Sequence, residues 1–196
     1  MGKKLVNQKA SGMHTTIYNM PELRAAIARL ARDEVLVGVP SETTDRKNED
    51  GTKSDITSAA LAYIHDNGAP EAHIPARPFM IPGMEDAVPQ VTKILAAGAK
   101  ALLNGQPEKV NDAFVGAGLK AQLAIQNKIN EGIPPPLADS TVRKRAAKGR
   151  KGAQEELNRR AAGYGASLQL AKPLVDTGEM RKSITYVIRN RSQRSS

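Results

Sequence analysis

Apolar residues recur at the spacing of an amphipathic helix in three parts of the chain, 21–32, 85–104 and 108–131. Residues three or four positions apart share a helix face, so each part predicts a helix with one buried side. A shorter helix is predicted at 56–66, capped by Asp55 and closed by Asn67-Gly68. The predicted buried faces of the two long helices are Val88, Val91, Leu95, Ala99 and Leu102 in the first, and Val110, Phe114, Leu119, Leu123 and Ile129 in the second.

Three short stretches, near 34–39, 74–80 and 184–190, predict extended chain. The first and last are rich in β-branched residues, which favour strands. The middle one contains Pro75 and Pro78, which cannot donate to a ladder, so it cannot be a central strand. The pattern therefore predicts an α+β fold, with a small antiparallel or mixed sheet packed against two long helices.

Polar stretches without apolar periodicity separate these elements. They predict an N-terminal arm at 1–18, a long loop at 41–54 and a basic tail at 191–196, all attached to one domain over 19–190. The domain also carries a basic insert at 146–170. The stretch 141–160 is helical in propensity but is interrupted by Gly149 and Gly152, and the insert is either a solvated surface loop or an interaction element. A long loop in a compact domain is usually a binding loop or one that becomes ordered on assembly.

The segment 172–188 predicts a sharp corner. Lys172 to Val175 is expected to be extended because Pro173 disfavours the helical region for the residue before it. Asp176-Thr177-Gly178 is predicted to turn the chain, with Gly178 adopting positive φ, and Glu179 to Ser183 to form one helical turn. By itself this pattern is compatible with a plain structural corner that has no chemistry.

The amino-acid sequence of this corner, PLVDTGEMRKSITY at 173–186, resembles a motif of small neck and tail-completion proteins of tailed double-stranded DNA phages. These are the virion-morphogenesis, minor tail protein Z and tail-to-head joining families. Stretches around 59–68, 73–80 and 135–145 match further motifs of these families in the expected order. The matching positions are His65, Gly68, Pro75, Arg77, Pro78, Phe79, Leu137, Thr141, Asp176, Thr177, Gly178 and Arg181. The segment 146–170 and the loop at 41–53 depart from the family pattern.

The resemblance implies a structural virion protein of the phage neck or tail end, assembled in the host cytoplasm. Such a protein forms a homo-oligomeric ring, expected to be a hexamer, that completes the tail and joins it to the head connector. The implied partners are connector or stopper proteins, tail tube or sheath proteins, and the genomic duplex, which passes through the ring without sequence-specific contact.

The amino-acid composition limits the kind of core and the kinds of reactive site that the chain can form. Aromatic residues make up 3% of the chain, so the core has to be built mainly from aliphatic side chains. There is no cysteine, which excludes disulfides, thiolate metal sites and cysteine nucleophiles. The sequence shows no apolar run long enough to span a membrane, and its first eight residues lack the apolar core of a signal peptide. No cofactor is expected.

The formal net charge is +9, which indicates a nucleic-acid partner, an acidic protein partner or a basic surface. A basic cluster is the candidate interaction surface: Arg143, Lys144, Arg145, Lys148, Arg150 and Lys151. The alternative function is therefore sequence-independent DNA binding through phosphates. The chain lacks the aromatic platforms of single-strand binders and has no clear recognition helix.

The sequence predicts no enzyme. It has no phosphate-binding loop, no nucleophile elbow and no zinc-protease motif. Asp176-Thr177-Gly178 matches the aspartic-protease triplet, but that chemistry needs two carboxylates, and only a homodimer would supply the second. A metal site from His65, His73, Asp66 and Glu71 lacks a recognised ligand spacing.

Overall fold

Two long helices, Met80–Leu103 and Lys109–Glu131, dominate the chain and are joined by a short turn. A computed structural model describes residues 20–40, 51–52 and 54–190. The predicted arm at 1–18, nearly all of the loop at 41–54 and the tail at 191–196 lie outside these residues.

The described elements, in chain order, are α1 (Met20–Arg32), β1 (Asp33–Gly38), α2 (Ser58–Asn67), a 3-10 turn (Pro70–Ala72), α3 (Met80–Leu103), α4 (Lys109–Glu131), α5 (Asp139–Ala147), α6 (Lys151–Ala161), α7 (Glu179–Ser183) and β2 (Thr185–Asn190). Strands β1 and β2 form a two-stranded antiparallel sheet. The predicted α+β fold, a small sheet with long helices, is confirmed.

Helix α3 begins five residues earlier than its apolar period predicted. The carboxylate of Asp66 explains the start, because its Oδ1 accepts hydrogen bonds from the amides of Phe79 and Met80 at 2.7 and 3.0 Å. The first amides of a helix have no partner inside the helix, and a carboxylate at that end satisfies them. The earlier start places Pro89 inside the helix instead of near its beginning. Helix α2 is likewise capped by Thr57 and not by Asp55.

The strand predicted at 74–80 is not formed. Ile74 makes an isolated bridge with Ala69, and Met80 already belongs to α3. Pro75 and Pro78 have no amide proton, so a ladder cannot continue through them. The Arg77 amide donates instead to the carbonyl of His65 at 2.8 Å.

The chain separates into two compact units, which are described one at a time. The described residues of the first are 20–36, 89–118 and 187–190. Its core contains Leu102, Val110 and Phe114, with Val35, Leu95 and Ile188 packed against them. Gly98 allows the two long helices to approach closely here, because a Cβ at this position would lie 2.4 Å from the Cβ of Ala113. Arg189 pairs with Glu34 at 2.9 Å.

The described residues of the second unit are 37–40, 51–52, 54–88 and 119–186. Its larger core surrounds the fully buried ring of Phe79 and contains Ala62, Ile125, Ile129, Ile133, Leu174, Met180 and Ile184. A smaller core lies between α5 and α6 and contains Leu137, Val142, Ala153 and Ala171. Gly152 lets α6 pack directly on the chain at Leu170, since a Cβ there would lie 2.1 Å from the Leu170 carbonyl oxygen.

Three residues predicted to be buried on the long helices are exposed: Val88 on α3 and Leu119 and Leu123 on α4. The buried line of α4 in the second unit instead passes through Ala121, Ile125 and Ile129. Gly83 of α3 allows this close approach, because a Cβ on it would lie 2.6 Å from the Ile125 Cα. Hydrophobic spacing within α4 alone does not reveal this contact.

The predicted corner at 176–178 is present, but its approach differs from the prediction. Lys172 to Val175 is a turn, in which the Val175 amide donates to the Lys172 carbonyl and Leu174 has a φ of 63°. Gly178 has a φ of 80° and precedes α7 at Glu179–Ser183, as predicted. The Leu174 side chain is buried in the core, which explains why this residue tolerates a left-handed backbone.

Candidate functional site

A cleft of about 710 Å³ in the second unit brings together six of the twelve family-motif positions. We call it the Arg77 cleft. Its lining includes residues from four separate parts of the chain: His65 and Gly68, Ile74 to Arg77, Pro136 to Ala138 with Thr141 and Arg145, and Leu174. Among the residues that the structure describes, no Asp or Glu belongs to the lining, and its two arginines are cationic.

Arg77 lies at the base of this cleft and is only 5% exposed. Its Nε and Nη2 donate to the carbonyl oxygen of Pro135 at 3.0 and 2.9 Å, and Nη2 also reaches the carbonyl of Pro136 at 3.5 Å. A proline-rich segment suits this contact, since its residues contribute acceptors but no amide donors. Arg77 thus ties the segment before α3 to the segment before α5.

Arg145, on α5, is the second guanidinium group of the cleft. Its Nη1 donates to the carbonyls of Lys172 and Val175 at 2.9 and 2.8 Å. Its Nε lies 3.9 Å from Oδ1 of Asp176. Arg145 therefore holds the turn that leads into the corner at 176–178, although the sequence suggested it as part of an interaction surface.

Burial and neighbouring charges act against protonation of both guanidinium groups. Burial lowers the pKa of Arg77, and the nearby charge of Arg145 lowers it further. Burial also lowers the pKa of Arg145, against the opposing effect of Asp176, and Arg150 adds to the lowering. Both groups remain cationic at neutral pH because the ordinary pKa of an arginine lies far above neutrality. The described lining of the cleft supplies no carboxylate to balance these charges.

A smaller cleft of about 170 Å³ adjoins the corner at 176–178 and shares His65, Arg145 and Leu174 with the Arg77 cleft. Asp176 accepts a hydrogen bond here from Nε of Arg150 at 3.0 Å. Thr177 Oγ1 accepts a long bond of 3.4 Å from the Glu179 amide at the start of α7. A carboxylate bound by arginines differs from the proton-sharing carboxylate pair of an aspartic protease.

Arg181 anchors the corner to the end of α4. Its Nη1 donates to Oδ1 of Asn130, and Lys172 Nζ donates to the Asn130 carbonyl at 2.7 Å. Gln126 adds hydrogen bonds to the carbonyls of Arg181 and Ile184 at 3.2 and 3.3 Å. The last motif of the resemblance is thereby connected to a long helix about fifty residues earlier in the chain.

Other motif positions serve packing. Gly68 has a φ of 80°, and a Cβ on it would lie 2.7 Å from the Ala76 amide nitrogen. Phe79 fills the larger core and Leu137 the smaller one. Thr141 is half-buried on the wall of the Arg77 cleft. Pro75 also lines this cleft, whereas Pro78 is exposed and belongs to neither cleft.

The structure divides the predicted basic cluster into two groups. Arg145 and Arg150 contact the corner at 176–178 through the bonds described above. The remaining four residues are exposed on α5, α6 and the turn between them: Arg143, Lys144, Lys148 and Lys151. Of the six residues, only the four in this second group are exposed.

Glu156 is a structural residue that the sequence analysis missed. It is fully buried on α6, and its Oε1 accepts from Nε of Arg160 at 2.8 Å and from the Ser167 amide at 2.7 Å. Arg160 also donates to Asp139 and to the carbonyl of Leu137 at 3.0 Å. The spacing of four residues between Glu156 and Arg160 is the signal that was available, since such residues adjoin on a helix.

Within the described ranges, no group of three or more His, Asp or Glu side chains is placed to hold a metal ion. Asp66, a candidate ligand, instead caps α3. Among the helices of the same residues, none is both long and apolar enough to cross a membrane.

No protein-family model matches the chain, and no curated protein or solved structure is similar to it. The function therefore has to be argued from the chemistry of these residues and from the motif resemblance.

Proposed function

We propose that this chain is a structural protein of the phage neck or tail end. It assembles into a homo-oligomeric ring, of six copies by analogy with the tail tube, that completes the tail and joins it to the head connector around the DNA channel. Tail tube or sheath proteins bind one side of the ring and connector or stopper proteins the other. The ring belongs to the virion, and its activity is assembly.

The supporting observation is how the motif residues are used. Arg77 and Arg181 come from motifs far apart in the sequence, and each joins two segments by a hydrogen bond, to the Pro135 carbonyl and to the Asn130 side chain respectively. Gly68 lets its own segment lie close to the Ala76 amide. Residues of this kind specify a shape more than a reaction.

Exposed apolar side chains on the second unit also favour assembly. Ile81 and Val88 on α3 are 68% and 53% exposed, and Leu119 and Leu123 on α4 are about half exposed. Each pair lies at helical spacing, and Tyr63 on α2 is exposed as well. Isolated exposed apolar residues are ordinary, but several on neighbouring helices are typical of a protein interface.

Native mass measurement of the purified chain, followed by electron-microscopic imaging, tests the proposal. We expect a closed ring, since repeated head-to-tail contacts that close generate cyclic assemblies. A Leu119→Gln, Leu123→Gln double variant should shift the mass toward monomer, whereas Lys120→Gln, on the same exposed stretch of α4, should not. A parent chain that stays monomeric both in isolation and in purified virions contradicts the proposal.

The exposed residues Arg143, Lys144, Lys148 and Lys151 favour a second candidate, a sequence-independent duplex-binding protein. Such a protein binds phosphates and releases counterions, so its affinity falls steeply with salt. We place this candidate second because DNA has to slide through a neck ring, and a strongly basic lumen would retain the genome. In the ring, these residues are expected to face a protein partner or the outer surface.

A further inference from the structure

The Arg77 cleft contains hydrogen-bond donors for which no described residue serves as the acceptor. Arg77 donates through Nε and Nη2, and Arg145 through Nη1. Neither Nη1 of Arg77 nor Nη2 of Arg145 donates to any residue that the structure describes. The Ala76 amide, on the exposed part of the same wall, also donates to none of these residues.

The charges around these donors favour an anionic ligand. Arg77 and Arg145 line the same cleft, the charge of Arg145 acts against protonation of Arg77, and the described lining contains no carboxylate. A guanidinium group that is already desolvated binds a carboxylate more strongly than an exposed one does, because little water remains to be displaced. An anion bound between Arg77 and Arg145 would relieve the repulsion between them.

The rest of the cleft favours a ligand larger than a lone anion. Its volume of about 710 Å³ lies within the usual range for organic ligands, and its accessible apolar wall includes Ile74 and Pro75. A free phosphate would leave this apolar surface uncovered. The Ala76 amide also lies on an extended segment, where it can bond a peptide carbonyl as strand edges do.

We propose that the Arg77 cleft binds an acidic peptide segment of a partner protein. An Asp or Glu carboxylate of the segment accepts from Arg77 Nη1 and Arg145 Nη2. Apolar residues beside that carboxylate cover Ile74 and Pro75. This proposal does not depend on ring formation and holds for a monomeric chain as well.

The test uses fluorescence anisotropy of a labelled peptide, N-acetyl-Ala-Leu-Asp-Leu-Ala-amide, with the Asn version of the same peptide as its neutral counterpart. We expect the Asp peptide to bind the full-length chain at least about tenfold more tightly, because hydrogen bonds to charged groups are strong when desolvated. The affinity should fall as salt rises. Equal affinity of the two peptides, or no binding of the Asp peptide at millimolar concentration, overturns the proposal.

Position 138 offers a matched pair of variants, since Ala138 lines the cleft and is exposed. Ala138→Glu places a carboxylate of the chain itself at the cleft and should weaken Asp-peptide binding about tenfold, whereas Ala138→Gln, of the same shape, should leave it nearly unchanged. Ser140→Glu, exposed but outside the lining, controls for charge alone.

Inorganic phosphate and acetate test whether the cleft binds a small free anion or the carboxylate of a peptide. Phosphate that binds tightly while neither peptide binds assigns the cleft to a small anion and overturns the peptide proposal. Weak competition by millimolar acetate, together with tight Asp-peptide binding, supports it. Circular dichroism of each variant confirms that the fold is retained before its affinity is compared.

Discussion

Glu156 and Arg160 form a buried ion pair one turn apart on α6, with Arg160 Nε donating to Glu156 Oε1 at 2.8 Å. The same carboxylate accepts from the Ser167 amide. The Glu156 carboxylate therefore binds Arg160 of the same helix and also fixes the segment that follows α6, at Ser167. A basic insert that appeared to be a solvated surface is therefore organised around an internal negative charge.

Replacing Glu156 with Gln should destabilise the protein by about 1–3 kcal/mol, because the charged acceptor of Arg160 and of the Ser167 amide is lost, while Arg160 keeps Asp139 and the Leu137 carbonyl. The neighbouring Glu155→Gln is a matched control, because Glu155 is exposed and should change stability by less than about 0.5 kcal/mol. Urea unfolding of the two variants and the parent measures the difference. Equal stability of both variants would show that the pair contributes little.

The same carboxylate predicts sensitivity to acid. Burial acts to raise the pKa of Glu156, but the Ser167 amide and Arg160 outweigh it, so the pKa is lowered overall. Its contribution to stability is therefore complete above the unfolded value of about 4.3 and is lost as the pH falls through the folded pKa. Unfolding midpoints measured between neutral pH and about pH 3 should fall less steeply for Glu156→Gln than for the parent.

Gly68→Ala should be among the more damaging substitutions of a small residue. It forces a side chain into a left-handed backbone, and the new Cβ would meet the Ala76 nitrogen at 2.7 Å. We expect a loss of about 2–5 kcal/mol from strain and overpacking together. Gly163→Ala separates the two costs, because Gly163 has a similar φ of 86° with no atom within 4 Å of the added Cβ. That control should lose only about 1–2 kcal/mol in the same unfolding measurement.

Asp176→Asn should have little effect on folding or assembly. Asp176 is partly exposed, and its ion pair with Arg150 at 3.0 Å belongs to a class worth about 0–1 kcal/mol. Thermal unfolding and the native mass of the variant measure this. The protease hypothesis predicts otherwise: peptide cleavage by the parent chain that Asp176→Asn abolishes would contradict the structural role.

Changing Arg143, Lys144, Lys148 and Lys151 to Gln separates the two candidate functions. In the neck role, the parent chain shows no measurable duplex affinity, and the variant fails to join heads to tails while separate tails remain normal. A control with Lys93, Lys100, Lys109 and Lys120 changed to Gln removes the same charge from α3 and α4. Tight, salt-sensitive duplex binding by the parent, lost in the variant while particles still assemble, would favour the DNA-binding function.

The sequence motifs identified many residues of the candidate site, but they did not predict how those residues are arranged in space. The motif positions His65, Arg77 and Thr141 were singled out by resemblance, and the structure places all three on one cleft. Arg145 was assigned to an exterior surface because a run of basic residues is usually solvated. Its two carbonyl partners, at Lys172 and Val175, come from a distant turn that no local pattern indicates.

The sequence by itself determined the long helices, both strands and the corner at 176–178, because apolar period, β-branched composition and a glycine at a turn act over a few neighbouring residues. Only the tertiary structure decided where α3 begins, which apolar residues of α4 are buried and which arginines are internal. Those outcomes depend on Asp66, on the close contact at Gly98 and on backbone acceptors supplied by remote segments. Burial and capping are properties of pairs of segments, so they are settled only when the chain has folded.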